Sequence, residues 1–155
     1  MNTRLQMTTP SDREIHVERV FDAPRERVWN ALTDPALLAQ WWGRGNKLEI
    51  ERFEPQPGGH WRFVENLDGE RFAFEGRFRA LKAPERLEET FEWDGMPGHV
   101  SVDTYTLEPL PDGKTKLSSD TLFLTAEDCE GMLKSGMEEG LAQSYDALDR
   151  LLGET

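Results

Sequence analysis

One cysteine, three histidines and two tyrosines occur among the 155 residues, and that scarcity narrows the chemistry at once. The lone Cys129 forms no internal disulfide, and its neighbours Asp128 and Glu130 disfavour the thiolate that a nucleophile or metal ligand needs. His16, His60 and His99 lie on separate segments without HxH, HExxH or CxxC spacing, so no metal is expected. GxSxG, a phosphate-cradling glycine loop and a dinucleotide fingerprint are also missing. No cofactor and no intrinsic ATPase activity are expected. Basic residues are in deficit, 18 Lys and Arg against 30 Asp and Glu, for a formal net charge of -12. Such a surface repels phosphate backbones and anionic headgroups, which argues against nucleic acid and membranes as partners. No apolar run approaches the roughly twenty residues that span a bilayer, and the polar opening lacks a signal-peptide block. A cytoplasmic location follows as the expectation. The length fits one domain, read as a polar N-terminal arm over 1–13 and a domain over 14–153.

What is present is a legible alternation of strand and helix periods. Ile15, Val17 and Phe21 alternate with charged residues, predicting a strand over Glu14 to Phe21. Asp22 and Pro24 offer an acidic cap and a first-turn proline for a short helix carrying Val28, Trp29 and Leu32. Asp34 and Pro35 restart a second helix with Leu37, Leu38, Trp41 and Trp42, which Gly43 is placed to end. From Lys47 the turn clusters Pro55–Gly59, Asp68–Gly69, Ala83–Pro84, Asp94–Gly98 and Pro111–Gly113 divide a six-stranded meander. Thr125, followed by Glu127 and Asp128, opens a final helix. Its apolar stripe, Leu133, Met137, Leu141, Tyr145, Leu148 and Leu152, repeats at steps of four and three.

This order predicts an α+β chain, β-α-α-β6-α, in which a curved antiparallel sheet grips the last helix. Where sheet and helix diverge a cavity is expected. Parity along each strand from an aromatic anchor places Trp61, Phe63, Phe74, Phe78, Leu87, Phe91, Trp93, Tyr105, Leu107, Leu117 and Phe123 inside. Trp42 joins them from the second short helix, and Met137, Leu141 and Tyr145 from the last one. The stripe is expected to divide, with Leu148 and Leu152 as plain core and the half from Leu133 to Leu141 meeting ligand. The same parity puts Glu89, Asp103, Ser119 and Thr121 inside. A buried carboxylate is costly unless paired or hydrogen-bonded. The plainer expectation is therefore a bulge that turns both acids outward or to a wet mouth. The alternative is a polar pocket end made with Tyr105 that orients one hydrogen-bonding group of a ligand.

Several motifs in order resemble a known family: Phe21 to Pro35, Trp41-Trp42-Gly43, Gly58 to Phe63, Pro84 to Leu87, and Gly136 to Leu152. Together they are similar to the homologues of the activator of the ninety-kilodalton heat-shock chaperone ATPase, a branch of the START and Bet v 1-like (SRPBCC) superfamily. The resemblance spans about Glu14 to Gly153 and implies the helix-grip fold already reached from periodicity. It also implies a homodimer as the assembly common in related folds, and an enlarged cavity where Leu141 stands in place of a bulkier residue. Chaperone contact is implied less, because eukaryotic activators make much of it through an additional N-terminal domain for which 155 residues leave no room. The leading expectation is a non-enzymatic module that binds a small hydrophobic or aromatic molecule in the cavity. Two alternatives stay open: a cyclase- or dehydratase-like enzyme that uses the inward acids, and an interaction protein acting on a chaperone.

Overall fold

The computed structural model describes residues 4–153. Two strands open the chain, β1 (Gln6–Ser11) and β2 (Glu14–Phe21); two short helices follow, α1 (Arg25–Thr33) and α2 (Pro35–Trp41). The meander then runs β3 (Lys47–Phe53), β4 (His60–Leu67), β5 (Glu70–Lys82), β6 (Arg86–Trp93), β7 (Ser101–Pro109) and β8 (Thr115–Phe123). Helices α3 (Ala126–Lys134) and α4 (Met137–Gly153) end it. All eight strands form one antiparallel sheet in the order β1-β2-β8-β7-β6-β5-β4-β3. Because β2 pairs with β8, the two short helices carry the chain from one side of the sheet to the far edge, and the meander returns it. The α+β helix-grip architecture is thus present. Among the described residues no helix is long and apolar enough to cross a membrane.

Three features depart from the sequence reading. The segment read as a polar arm carries β1, whose mostly exposed side chains leave no alternating apolar signal; backbone pairing with β2, not burial, holds it. The apolar stripe belongs to two helices. Ser135 closes α3 by returning its backbone N–H and its hydroxyl to the Met132 carbonyl, and Gly136 takes φ +84° before α4 begins. Leu133 therefore lies on α3, exposed and outside the cavity that Met137 and Leu141 line. At α1, Pro24 occupies the cap position and no side chain caps it, so Asp22 does not serve there.

The other helix signals act as read. Asp34 caps α2 by accepting from the Ala36 N–H at 2.9 Å, with Pro35 in the first turn, and Gly43 follows the helix at φ +110°. Thr125 caps α3 by accepting from the Asp128 N–H at 3.0 Å. The core lies where α1, α2 and the end of α4 meet the sheet, around Phe21, Val28, Leu117 and Leu148. Trp41 is buried there with its indole N–H donated to the Ala31 carbonyl at 2.8 Å. Leu148 and Leu152 are plain core, as expected.

Candidate functional site

Between the sheet and the N-terminal half of α4 lies a cavity of about 560 Å³. Strand register builds its floor. Phe78, Glu89, Asp103, Thr121 and Ile15 stand side by side on neighbouring strands β5, β6, β7, β8 and β2. A second row holds Leu87, Tyr105, Ser119 and Val17, and a third Phe91, Ser101 and Phe123. The rows are two residues apart along each strand, so all three point to one face. Aromatic packing closes the side nearer β4 and β5. Trp61 and Phe63 have ring centroids 4.8 Å apart, Trp42 packs edge-on to Phe63 at 5.2 Å and to Phe74 at 5.5 Å, and Phe74 stacks on Phe91 at 5.6 Å. Helix α4 supplies the opposite wall through Met137, Leu141 and Tyr145. Trp93, 38 % exposed, stands with Leu67, Met132 and Ser135 on the same lining.

Both inward acids are inside. The bulge of β5 against β6 falls between Phe78 and Ala80, and β6 pairs with β7 in unbroken register from Arg86 to Phe91. The expected outward turn of Glu89 and Asp103 does not occur, because nothing between them and their aromatic anchors interrupts the alternation. They are direct cross-strand partners, a placement that sets Cβ atoms about 5 Å apart. Asp103 is 8 % exposed, and its Oδ1 accepts from the Thr121 hydroxyl at 2.6 Å. Glu89 keeps partial exposure through the cavity and, among the described residues, receives no side-chain hydrogen bond. Burial pushes the Asp103 carboxyl up to about 6, with Thr121 pulling the other way. Burial first, and then the neighbouring Asp103, push Glu89 well above the carboxylate range. Side by side in a site that disfavours charge, the two carboxyls oppose each other's ionisation.

Two phenols complete the polar end. Burial and then the field of Asp103 raise the Tyr145 phenol further above neutrality, with the Ser119 hydroxyl pulling the other way. Tyr105 is likewise raised by burial and by the fields of Asp103, Glu89 and Tyr145. Both remain neutral hydroxyls. This arrangement can orient a polar group or exchange a proton with one; among the described residues no group of three His, Cys, Asp or Glu is placed to hold a metal.

The sequence reading missed a second polar feature. Glu65, 1 % exposed, accepts at one carboxylate oxygen from Arg44 Nη2 at 2.6 Å, Arg44 Nε at 3.0 Å and Asn46 Nδ2 at 2.5 Å. Arg44 also donates its backbone N–H to Ser144 Oγ at 3.0 Å, tying the loop after α2 to α4. Gly140 makes this possible, since a Cβ there would lie 2.6 Å from Arg44 Cδ. Glu65 was within reach of the parity rule that found Trp61 and Phe63, whereas Arg44 sits in a loop with positive φ and no period. The histidines lie elsewhere: His16 against Glu18 and Asp120, His60 against Glu75, and His99 against Asp128.

The family model described as Activator of Hsp90 ATPase homolog 1-like protein matches residues 22–153. No curated protein matches the chain. Among solved structures, a protein from Rhodobacter sphaeroides is 30% identical, with 98% of this chain and 100% of that one covered at a TM-score of 0.90. One from Arthrobacter aurescens is 26% identical over 100% of this chain and 94% of its own, at 0.88. One from Mycobacterium smegmatis, 24% identical over 96% and 97%, shares the fold at 0.84.

Proposed function

The chain belongs to the Activator of Hsp90 ATPase homolog 1-like family, and from that premise we propose that this START/Bet v 1-like protein binds a small hydrophobic or aromatic molecule between the sheet and α4. The observation that carries the reading is the cavity itself. Its volume of about 560 Å³ falls within the range of small-molecule sites, and a mostly aromatic wall with a few convergent polar groups is their usual lining. Burying about 300 Å² of apolar ligand surface contributes on the order of 7 kcal/mol gross. After association costs, a micromolar affinity remains.

Native mass spectrometry after mild purification tests for a retained small molecule. Titration with N-phenyl-1-naphthylamine, a neutral aromatic probe, tests the cavity directly through quenching of Trp42, Trp61 and Trp93. Saturable binding is expected, weakened about tenfold in Leu141→Trp, a loss of about 1.4 kcal/mol. Absence of any saturable signal from wild type abandons the reading. One observation favours a second reading, proton-transfer catalysis of the cyclase or dehydratase kind: two carboxyl groups stand side by side in one pocket, both raised by burial. Turnover that disappears in Asp103→Asn would select it.

A further inference from the structure

Two carboxyl groups occupy an aromatic cavity, and among the described residues no cation faces either of them. The charged and titratable groups on the lining are Arg44, Glu65, Glu89, Asp103, Tyr105 and Tyr145. Arg44 is engaged by Glu65. Lys116 on β8, beside the acids, and His16 and Arg19 on β2, one strand further, turn elsewhere: Lys116 to Glu108, His16 to Glu18 and Asp120, and Arg19 to Asp146 and Asp149. Only the Thr121 hydroxyl donates to Asp103, at Oδ1, while Oδ2 and the whole Glu89 carboxyl have no donor among the described residues.

Resting on the ligand-binding reading above, we infer that the cavity selects a compact aromatic amine, whose protonated nitrogen sits on the Asp103–Glu89 pair while its ring lies among Trp61, Phe63, Phe74 and Phe91. The chemistry is complementary at each point. An ammonium group donates to Asp103 Oδ2 and to Glu89 and supplies the positive charge that no side chain among the described residues provides. Aromatic faces beside it attract the same charge through their quadrupoles. A net charge of -12 steers cations toward the protein and anions away. A carboxylate ligand would meet one negative charge and several unsatisfied acceptors, which is the repulsive half of the selectivity.

The test uses three probes on one carbon frame: 2-naphthylmethylamine, 2-naphthylmethanol and 2-naphthoate, titrated calorimetrically into the full chain at pH 7.5. Wild type is expected to bind the amine about tenfold or more tighter than the alcohol, and 2-naphthoate more weakly than both. In Asp103→Asn the preference for the amine over the alcohol should fall toward unity. Lowering the pH of wild type through about 6, where Asp103 takes up its proton, should erase the preference without any substitution. Equal affinity of wild type for amine and alcohol, or a preference that survives in Asp103→Asn, overturns the inference and leaves the cavity reading intact. Binding of none of the three probes defeats both.

Discussion

Asp103 is held by its neighbours in a place that its charge disfavours. With its carboxyl raised from 3.8 to about 6, the folded state binds the proton more tightly than the unfolded chain does. The contribution is fully present below about pH 4 and is lost as the pH rises toward 6. The shift corresponds to about 3 kcal/mol. Asp103→Asn keeps an acceptor for Thr121 and never ionises. Urea denaturation of the variant at pH 7 should therefore give a stability about 1–3 kcal/mol above wild type, with the difference shrinking to near zero by pH 4. The opposite slope would mean a hidden cationic partner.

Glu65 is the contrasting residue, because its charge is buried and paired. Removing Arg44 leaves that carboxylate with Asn46 as its remaining donor. Arg44→Met should cost about 2 kcal/mol, less than a fully buried pair because the arginine side chain is 45% exposed. A double-mutant cycle with Glu65→Gln should return a coupling of about 1–2 kcal/mol. A coupling near zero would mean that the loop after α2 is held by Ser144 alone.

At the scale of elements, the join between α3 and α4 is the informative one. The apolar stripe passes through it without a break in period, which is why periodicity alone merges the two helices. Gly136 separates them through φ +84°, with open space around its Cα. In a continuous helix Gly136→Ala would stabilise by about 0.5–1 kcal/mol. In this structure the same change forces an L-residue into the left-handed region and should destabilise by about 1–2 kcal/mol. The sign of the change in thermal or chemical unfolding therefore reads the geometry directly. Met132 and Ser135, just before this break, line the cavity together with Met137 just after it, so two helices, α3 and α4, shape its wall in a way one straight helix does not. The strand β5 shows a related constraint. A Cβ on Gly76 would lie 1.9 Å from the Thr90 carbonyl and 2.7 Å from Trp61 Nε1, so β5 and β6 approach closely where the aromatic wall begins.

For the whole molecule, cavity and stability are linked. A ligand bound only by the folded state at a hundred times its dissociation constant adds about 2.7 kcal/mol. The unfolding temperature should rise with ligand concentration in wild type and rise much less in Leu141→Trp, measured by calorimetry with 2-naphthylmethanol. A rise equal in both proteins would place the binding outside this cavity.

The sequence by itself determined the helix-grip order, the strand boundaries set by turn residues, and the inward set from Trp61 to Phe123. Those follow from local physics: turn chemistry, caps, and a side-chain period of two that propagates along any strand without a bulge. The tertiary structure alone decided the rest. Strand β1 is held by backbone hydrogen bonds that leave no apolar pattern, and Arg44 reaches Glu65 across 21 positions from a loop without period. Whether Glu89 and Asp103 faced in or out depended on where a single bulge fell. A bulge is one extra residue in a pairing between distant segments, and only the paired sheet reveals that it lies beyond Phe78, leaving both acids inside.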